Sequence, residues 1–354
     1  MSCTSPIKIA IVGTGLIGPR HAEAVLKVPG AELACIVDPN PAAQNIAVKL
    51  ACPWYESVQA MLSSCKPDAA LVCTPNHTHV PISKELLEGS VHVLCEKPIS
   101  VDVASGQTLI ECAAKHNRHL LVGHHRRFNP YVVAAKQLIP SLGQLIAVNG
   151  LWTTFKPPSY FDPPTDWRRL DSAGPILINL IHEIDILHYL FGPITRVYAE
   201  KALSQRGYLA EEGAAITFRF ASNMVGTFLL SDAVPSPHNF EAGTGENPTI
   251  PKVGQDFYRV FGSEGSLSVP DLTQWMYKAE KKSWTEQLQS SKVEVPELKT
   301  PFELQIENFV KVIRGEEAPR CSGSEGLQAV MVCVAIKASM RDNLPVDVEL
   351  KQEP

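Results

Sequence analysis

The sequence has no apolar run that approaches the ~20 residues needed to span a bilayer. Its N-terminus has one lysine and a six-residue strand-like run, and we see there no apolar segment typical of a signal peptide. Nine cysteines are scattered without C-x-x-C pairs or the spacing of a zinc site. We therefore expect no membrane span and no metal site, and we expect a reducing, cytoplasmic location.

Clusters of basic residues are also absent. The chain has only short pairs such as Arg126-Arg127 and Arg168-Arg169, and its formal net charge is -5. Because binding to a nucleic-acid backbone requires a basic surface, we expect no nucleic-acid partner. The 354 residues, of which 45% are hydrophobic, are enough for two domains with substantial cores.

The start of the chain carries the most specific pattern. A run of β-branched and aliphatic residues, 7–12, ends in G-x-G-x-x-G, and a second apolar run, 32–37, ends in an acidic residue. In a βαβ unit the glycines permit a tight turn, close approach of a pyrophosphate and close helix packing, while the acid binds a ribose. The sequence therefore predicts an NAD site, and NADP is less favoured because no Arg or Lys follows the acid before Lys49. The alternative is a glycine turn without a ligand. The expected cofactor-binding residues here are Gly13, Gly15, Leu16, Ile17, Gly18 and Asp38.

From residue 7 to about residue 123, continuous apolar strands alternate with helical segments. This alternation is typical of a doubly wound parallel sheet with helices on both faces. The expected strands are 7–12, 32–37, 69–73, 91–95 and 119–122. The expected helices lie near 17–28, 41–50, 57–63, 79–88 and 102–116. We therefore predict a Rossmann domain at residues 1–125.

After about residue 125 the strands become longer, and apolar residues alternate with polar ones. Such alternation indicates a mainly antiparallel sheet with one face exposed to solvent or to another subunit. The expected strands are 144–151, 194–201, 214–220, 224–231, 258–262 and 266–269. Helices are expected near 175–191, 301–314 and 323–341. Residues 126–354 are therefore expected to form an α+β domain with a mainly antiparallel sheet.

Ligands of an open parallel sheet bind beyond the carboxyl ends of its strands. Four residues after the strand at 69–73 are expected to contact the cofactor: Thr74, Pro75, Asn76 and His79. The next strand is followed by Glu96-Lys97-Pro98, in which the proline favours an extended backbone at Lys97. Lys97 could reach a substrate oxygen, and a surface lysine at a strand end is an equally good interpretation. Arg126, after the last strand, is a candidate for substrate contact or for a structural ion pair.

The helix expected at 175–191 is apolar on almost all sides, which indicates a buried helix. At about 100° per residue, four residues share one stripe: Ile178, His182, Asp185 and Tyr189. Asn179 lies one step aside. A histidine followed by an aspartate three residues later is typical of a buried structural pair, or of a general acid/base that a carboxylate orients.

Together these features resemble the glucose–fructose oxidoreductase / inositol dehydrogenase / rhizopine-catabolism (Gfo/Idh/MocA) family, over nearly the whole chain. The resemblance implies a Rossmann domain followed by an α/β domain whose open sheet often forms the oligomer interface. It implies hydride transfer between NAD(P) and a carbinol carbon of a sugar, cyclitol or related polyol. It also implies that Glu96 and Lys97 lie at the cofactor, that Lys97 binds the reacting oxygen, and that His182 is the principal acid/base. A homodimer or homotetramer through the C-terminal sheet is expected.

One position departs from the family pattern. Many members carry an aspartate four residues before the histidine, where this chain has Ile178, followed by Asn179. Isoleucine cannot accept a proton, and an amide can bind substrate but is not a base. Either Lys97 and His182 catalyse the reaction without an aspartate, with Asn179 beside them, or this branch has altered its chemistry.

Substrate-binding residues are expected on the surface of the second domain. Aromatic rings can stack on the C–H face of a sugar, whereas Arg and Lys favour an acid such as a uronate, although Trp and Tyr more often serve packing. Besides Lys97, Arg126, Asn179 and His182, the candidates are Trp152, Lys156, Tyr160, Trp167, Arg168, His238 and Tyr258.

The sequence thus predicts an NAD-dependent oxidoreductase of a polyhydroxylated small molecule. Two alternatives stay open. The first is an enzyme that oxidises transiently with bound NAD, then eliminates or hydrolyses and re-reduces, without net NADH. The second is a regulatory protein that senses NAD(H) without turnover.

Overall fold

The computed structural model describes residues 5–278, 282–295 and 299–350. The described residues form two compact units: 5–128 with 299–330, and 129–278 with 282–295 and 331–350. The units differ from the expected division at residue 125 in one respect, since residues 299–330 group with the first unit. The functional division at that residue stays a prediction.

A six-stranded parallel sheet forms the centre of the first unit. Its strands are β1 (Ile7–Val12), β2 (Ala31–Val37), β3 (Trp54–Tyr55), β4 (Ala69–Val72), β5 (His92–Cys95) and β6 (Leu120–Val122). Their order is β3-β2-β1-β4-β5-β6, and every neighbouring pair is parallel. This arrangement confirms the doubly wound Rossmann sheet. The helices between these strands are α1 (Gly18–Lys27), α2 (Ala43–Lys49), α3 (Val58–Ser64), α4 (His79–Glu88) and α5 (Val103–Lys115).

The core of the first unit contains the apolar strand residues that the sequence pattern indicates. Ile9 and Ile11 of β1 are fully buried, in one cluster with Ile306 and Phe309. Burial of each such side chain contributes about 1.5–3 kcal/mol relative to exposure. Because Ile306 and Phe309 lie in the segment Pro301–Ile313, their burial explains why this late part of the chain belongs to the first unit.

A nine-stranded sheet forms the second unit. Its strands are β7 (Leu145–Thr153), β8 (Ile194–Lys201), β9 (Gly213–Phe220), β10 (Val225–Ser231), β11 (Tyr258–Gly262), β12 (Gly265–Val269), β13 (Thr273–Met276), β14 (Gln289–Lys292) and β15 (Val346–Asp347). Their order is β14-β13-β12-β11-β7-β10-β9-β8-β15. β7 and β10 are parallel, and the other neighbouring pairs are antiparallel. The mainly antiparallel open sheet is therefore confirmed.

The remaining helices are α6 (Pro130–Leu138), α7 (Ile181–Phe191), α8 (Phe240–Thr244), α9 (Pro301–Ile313) and α10 (Gly323–Asp342). Within the described residues, every helix is too short or too polar to cross a bilayer.

The helix expected at 175–191 differs from the prediction at its start. Ile176–Leu180 form a π-helical turn, in which the Ile181 N–H donates to the Ile176 carbonyl, and the regular α-helix begins at Ile181. A π turn has more residues per turn than an α-helix. The regular α-helix therefore starts later than the predicted residue 175, and the place of Ile178 on one stripe with His182 stays a prediction.

Four strands were not predicted, namely β3, β13, β14 and β15. β3 and β15 have two residues each, so no periodicity can develop in them. β14 reads Gln-Ser-Ser-Lys and all four of its residues are exposed, so it lacks the apolar alternation on which strand prediction depends.

Candidate active site

The loop after β1 has the backbone that a dinucleotide site requires. Gly13 has φ of +96°, and a Cβ there would lie 2.8 Å from the Cys73 carbonyl oxygen. A Cβ at Gly18 would lie 2.1 Å from the Gly13 carbonyl oxygen, whereas nothing lies within 4 Å of a Cβ at Gly15. The first and third glycines thus serve packing, and the open space at the second permits close approach of a pyrophosphate. No side chain caps the start of α1, so its N–H groups can bind an anion.

The acidic residue at the end of β2 is fixed against this loop. Asp38 Oδ2 accepts hydrogen bonds from the Thr14 N–H at 2.8 Å and from Thr14 Oγ1 at 2.7 Å. Asp38 Oδ1 accepts one from the Asn40 N–H at 2.8 Å. Since each carboxylate oxygen has two lone pairs, Asp38 retains acceptor capacity for a ribose hydroxyl. The residues present fit NAD.

His79 joins the loops after β4 and β5. Its Nδ1 donates to the Pro98 carbonyl oxygen at 2.7 Å and its Nε2 to the Thr74 carbonyl oxygen at 2.8 Å, so both nitrogens carry hydrogen. Burial lowers the pKa of His79, but the Cys95 sulfur and the two carbonyl oxygens outweigh burial and raise that pKa to about 9. His79 is only 1% exposed. It acts as a clamp between the loops, and its direct contact with a cofactor stays a prediction.

Beside this clamp, Pro75 and Asn76 are exposed and Thr74 is half-buried. These three positions are open to a ligand at the carboxyl edge of the sheet. Thr74 Oγ1 accepts a hydrogen bond from Thr78 Oγ1 at 2.7 Å, which fixes its side chain.

Glu96 holds the backbone at Lys97. Its Oε1 lies 2.7 Å from His21 Nε2, and its Oε2 accepts a hydrogen bond from the Lys97 N–H at 3.1 Å. Burial raises the pKa of Glu96, but the hydrogen bond and charge of His21, together with the charges of His125 and Lys97, lower it to about 2. Glu96 is therefore an ionised carboxylate, and Lys97 is half-buried beside it. His21 was not among the predicted site residues, although it lies three residues after the last glycine of the fingerprint.

The two arginines after β6 are both buried. Arg126, a substrate candidate, is 5% exposed, and Arg127 is 1% exposed. Arg127 Nη1 donates to the Arg320 carbonyl oxygen and to Glu325 Oε1, each at 2.6 Å. Arg127 is therefore structural.

In the second unit, His182 lies in the first turn of α7 and is 7% exposed, while Glu183 and Asp185 are fully buried. The π turn before them is anchored by Glu211, whose Oε1 accepts from the Ile176 N–H at 3.0 Å. Burial raises the pKa of Glu211. Tyr258 was expected at the surface, but it is fully buried in the sheet and its hydroxyl donates to Glu183.

The half-buried Asn179, within the π turn, contacts Lys156. Lys156 Nζ donates to Asn179 Oδ1 at 2.7 Å and lies 3.3 Å from Asp232 Oδ2. Burial lowers the pKa of Lys156, and the Asp232 carboxylate partly offsets that effect. The Nζ also lies 4.8 Å and 5.4 Å from the ring centroids of Tyr160 and Trp152.

Several substrate candidates of the second unit surround this lysine. Lys156, Tyr160, Arg168 and Ile178 line one small cavity. The guanidinium carbon of Arg168 lies 3.8 Å from the Tyr160 ring centroid. Four further charged residues line this cavity, and none of them was among the predicted site residues: Arg206, Glu211, Glu212 and Asp232.

Three further candidates lie in different surroundings. Trp152 is 2% exposed and its indole N–H donates to Glu241 at 2.9 Å. Trp167 is 47% exposed. His238 donates from Nδ1 to the Asp256 carbonyl oxygen at 2.8 Å.

Two family models match this chain. Residues 7–124 match the Gfo/Idh/MocA model described as an oxidoreductase family with an NAD-binding Rossmann fold. Residues 136–348 match the model of the C-terminal alpha/beta domain of the same oxidoreductase family.

Full-length relatives and solved structures are also similar to the chain. The scyllo-inositol 2-dehydrogenase (NAD(+)) of Bacillus subtilis is 25% identical, over 98% of this chain and 97% of its own. The myo-inositol 2-dehydrogenase of Thermotoga maritima is 24% identical, over 97% of this chain and 99% of its own. The WlbA dehydrogenase of Bordetella pertussis, solved with NADH and UDP-GlcNAcA, has a TM-score of 0.79 and 23% identity over 98% of this chain and 100% of its own.

Proposed function

Because the chain belongs to the Gfo/Idh/MocA oxidoreductase family, we propose that it transfers a hydride between NAD and a carbinol carbon of a sugar, cyclitol or related polyhydroxy acid. The observation that carries this proposal is the first unit's carboxyl edge. There the open Gly15 and the fixed Asp38 fit NAD, and Lys97 follows strand β5 of the same sheet. The relatives that act on inositols support the substrate class.

The cofactor would be held by two groups of residues in the first unit. The phosphates would lie at the glycine loop and the start of α1, and the ribose at Asp38, which favours NAD over NADP. When bound, NAD supplies the nicotinamide carbon that exchanges hydride with the substrate. The residues proposed for cofactor contact are Gly13, Gly15, Leu16, Ile17, Gly18, Asp38, Thr74, Pro75, Asn76, His79, Glu96 and Lys97.

The acid–base chemistry is assigned to two side chains. The Lys97 ammonium donates a hydrogen bond to the reacting oxygen and stabilises its developing negative charge, and Glu96 holds the Lys97 backbone for this task. His182 takes up the hydroxyl proton during oxidation and returns it during reduction. Asn179 is the third catalytic candidate.

Substrate recognition is assigned to Arg126, Trp152, Tyr160, Trp167, Arg168, Asn179, His182 and Tyr258, with Lys97. The burial of Trp152 and Tyr258 supports roles in shaping the site, whereas the exposed Trp167 ring is available for stacking on a sugar.

The test is a panel of sugars, cyclitols and their acids, each with NAD and with NADP, followed by absorbance of the reduced cofactor. We expect turnover with NAD and at least one polyol. Product formation without net NADH would replace this proposal by redox-assisted elimination or hydrolysis. Tight NADH binding without turnover on the whole panel would replace it by NAD(H) sensing.

The proposal includes a homodimer or homotetramer through the open sheet. Several large apolar side chains of this sheet are exposed: Val225, Leu229, Phe261 and Trp275. In the register of the sheet, Phe261 pairs with Ala147, which pairs with Val225, so these residues lie in one row across three strands. Apolar patches of this kind mark subunit contacts. Light scattering on the purified protein should give two or four chains, and a monomer would contradict this part.

A cytoplasmic location is also part of the proposal. It is supported by the eight cysteines in the described part of the chain, which are all free thiols, as a reducing compartment requires. Fractionation of cells should recover the protein with cytoplasmic markers.

A further inference from the structure

The second unit contains one parallel pair among its described strands, β7 and β10, and the carboxyl ends of these strands carry an unusual pair of charges. Beyond the strands the two chains continue side by side, since the Thr154 N–H donates to the Ser231 carbonyl oxygen and the Lys156 N–H to the Asp232 carbonyl oxygen, each at 2.9 Å. The backbone therefore places the side chains of Lys156 and Asp232 next to each other. Polar residues at the carboxyl ends of neighbouring parallel strands commonly serve a ligand site.

These two charges are buried and fixed. The side chain of Lys156 is 10% exposed and that of Asp232 is 3% exposed. Arg206 Nη2 donates to the same aspartate, and Arg206 Nε lies 3.4 Å from Glu212 Oε2. A buried ammonium carries a desolvation cost that one carboxylate, shared with an arginine, does not fully offset. Such a costly arrangement indicates a function for the lysine beyond stability.

The Lys156 ammonium also determines the orientation of an amide. An ammonium has three donors and no acceptor, so the atom of Asn179 that lies 2.7 Å from Lys156 Nζ must be the carboxamide oxygen. The Asn179 Nδ2 group then lies on the other side of the amide. Among the described residues, none accepts a hydrogen bond from Nδ2, so its two N–H donors are available to a ligand. Without the lysine, the amide could rotate and present its oxygen instead.

We propose that Lys156 is a positioning residue that fixes the Asn179 carboxamide with its N–H donors directed to an acceptor oxygen of the substrate. This inference rests on the proposed function. Asn179 thereby supplies N–H donors to the site, whereas an ionised aspartate in its place could only accept hydrogen bonds. The substrate group bound at Asn179 is therefore an acceptor: the developing alkoxide or carbonyl oxygen, or a carboxylate of a sugar or cyclitol acid.

The first experiment is a double-mutant cycle with Lys156→Met and Asn179→Ala, on the polyol and cofactor with the highest turnover. Loss of the Asn179 donor should lower kcat about a hundredfold, as for one preorganised donor at a developing oxyanion. Lys156→Met should lower kcat about tenfold, the effect of losing one charge-assisted hydrogen bond, with KM changed less than kcat. If Lys156 acts through Asn179, the double variant should match Asn179→Ala alone. If kcat of the double variant falls by the product of the two single losses, the two residues act independently, and the positioning role is overturned.

A second variant tests the donor itself. Asn179→Asp keeps the shape of the side chain and its contact with Lys156, but it removes the N–H donors. We expect kcat to fall as far as in Asn179→Ala. Wild-type turnover in Asn179→Asp would overturn the assignment of Asn179 as a donor.

The matched control is Lys252→Met in the same unit. Lys252 Nζ also lies over a tyrosine ring, 5.1 Å from the centroid of Tyr131, and donates to the Tyr131 hydroxyl at 2.8 Å. Lys252→Met should leave kcat and KM unchanged. An equal loss in both lysine variants would show a general effect of removing lysines, and would count against the proposal.

A readout without catalysis separates this inference from the proposed function. Isotopic labelling of asparagine side-chain nitrogen gives an NMR signal for Asn179, identified by its absence in Asn179→Asp. We expect the Asn179 carboxamide to be ordered about χ2 in the wild type and to move rapidly about χ2 in Lys156→Met. Equal order in both proteins would overturn the inference even where the polyol panel shows turnover. A panel without turnover would overturn the proposed function and leave the NMR result to decide the amide orientation.

Discussion

The parallel sheet of the first unit and the mixed sheet of the second unit position their functional groups in different ways. In the first unit the backbone positions most of these groups. A Cβ at Gly13 or Gly18 would collide with a carbonyl oxygen, and Asp38 is fixed by hydrogen bonds from Thr14 and Asn40. In the second unit Asn179 depends on a chain of side chains, through Lys156 and Asp232 to Arg206. The first kind of site can be read from a motif, whereas the second requires the folded structure.

The largest expected effect concerns the first unit. Lys97→Ala should lower turnover by at least about two orders of magnitude, because a preorganised donor at a developing oxyanion contributes ~3–4 kcal/mol. Calorimetry should show that NAD still binds, since the glycine loop and Asp38 are unchanged. Undiminished turnover would remove Lys97 from the mechanism, and lost NAD binding would show that the variant had disturbed the backbone.

Because His79 forms the clamp between the loops after β4 and β5, the free energy of unfolding should fall at alkaline pH. The pKa of His79 is raised from 6.5 to about 9 on folding. The protonated state therefore stabilises the fold fully below pH 6.5, and this contribution, about 3 kcal/mol at most, is lost as pH rises through about 9. Urea unfolding of the wild type should weaken over that range more than unfolding of His79→Gln. Parallel pH dependence in the two proteins would contradict the clamp.

Two substitutions in one loop should sharpen the comparison further. Gly18→Ala places a Cβ against the Gly13 carbonyl oxygen and should lower the free energy of unfolding by about 1–3 kcal/mol, as overpacking does. Gly15→Ala has open space, so it should keep the wild-type stability but weaken NAD binding. Denaturant unfolding and NAD titration measure the two effects. Wild-type stability of Gly18→Ala would contradict the packing role of Gly18. Unchanged NAD affinity of Gly15→Ala would contradict the role of Gly15 in approach of the pyrophosphate.

The smallest expected effect concerns the sheet of the second unit. Tyr258→Phe removes the hydroxyl that donates to the buried Glu183. It should lower the free energy of unfolding by about 1–2 kcal/mol, because the carboxylate loses a partner without access to water. Chemical unfolding measures this loss, and a change in KM with unchanged stability would instead support direct contact with substrate.

Much of the fold can be predicted from local patterns. Five of the six strands of the first unit were predicted from nearly continuous apolar runs, because parallel strands are buried on both faces. The six strands β7 to β12 of the second unit were also predicted, from their alternation of apolar and polar residues. β14 could not be found, because its pairing with β13 is a backbone interaction that leaves no apolar signal.

The site was predictable only in part. The glycine fingerprint and Lys97 follow strands, so their places at the sheet edge could be inferred from order along the chain. The π turn before His182 changes the helical phase, and no composition rule signals it. The neighbouring positions of Lys156 and Asp232 depend on the pairing of β7 with β10, which are separated in sequence by two other strands.

The two margins of the nine-stranded sheet have a consequence for how the protein can associate. One margin is β14, with four exposed polar residues, and the other is β15, with two residues. Short or polar margins discourage the recruitment of further strands from other molecules. Both margins of the described sheet are therefore poor templates for strand addition, so the proposed association of subunits would use the face of the sheet rather than its margins.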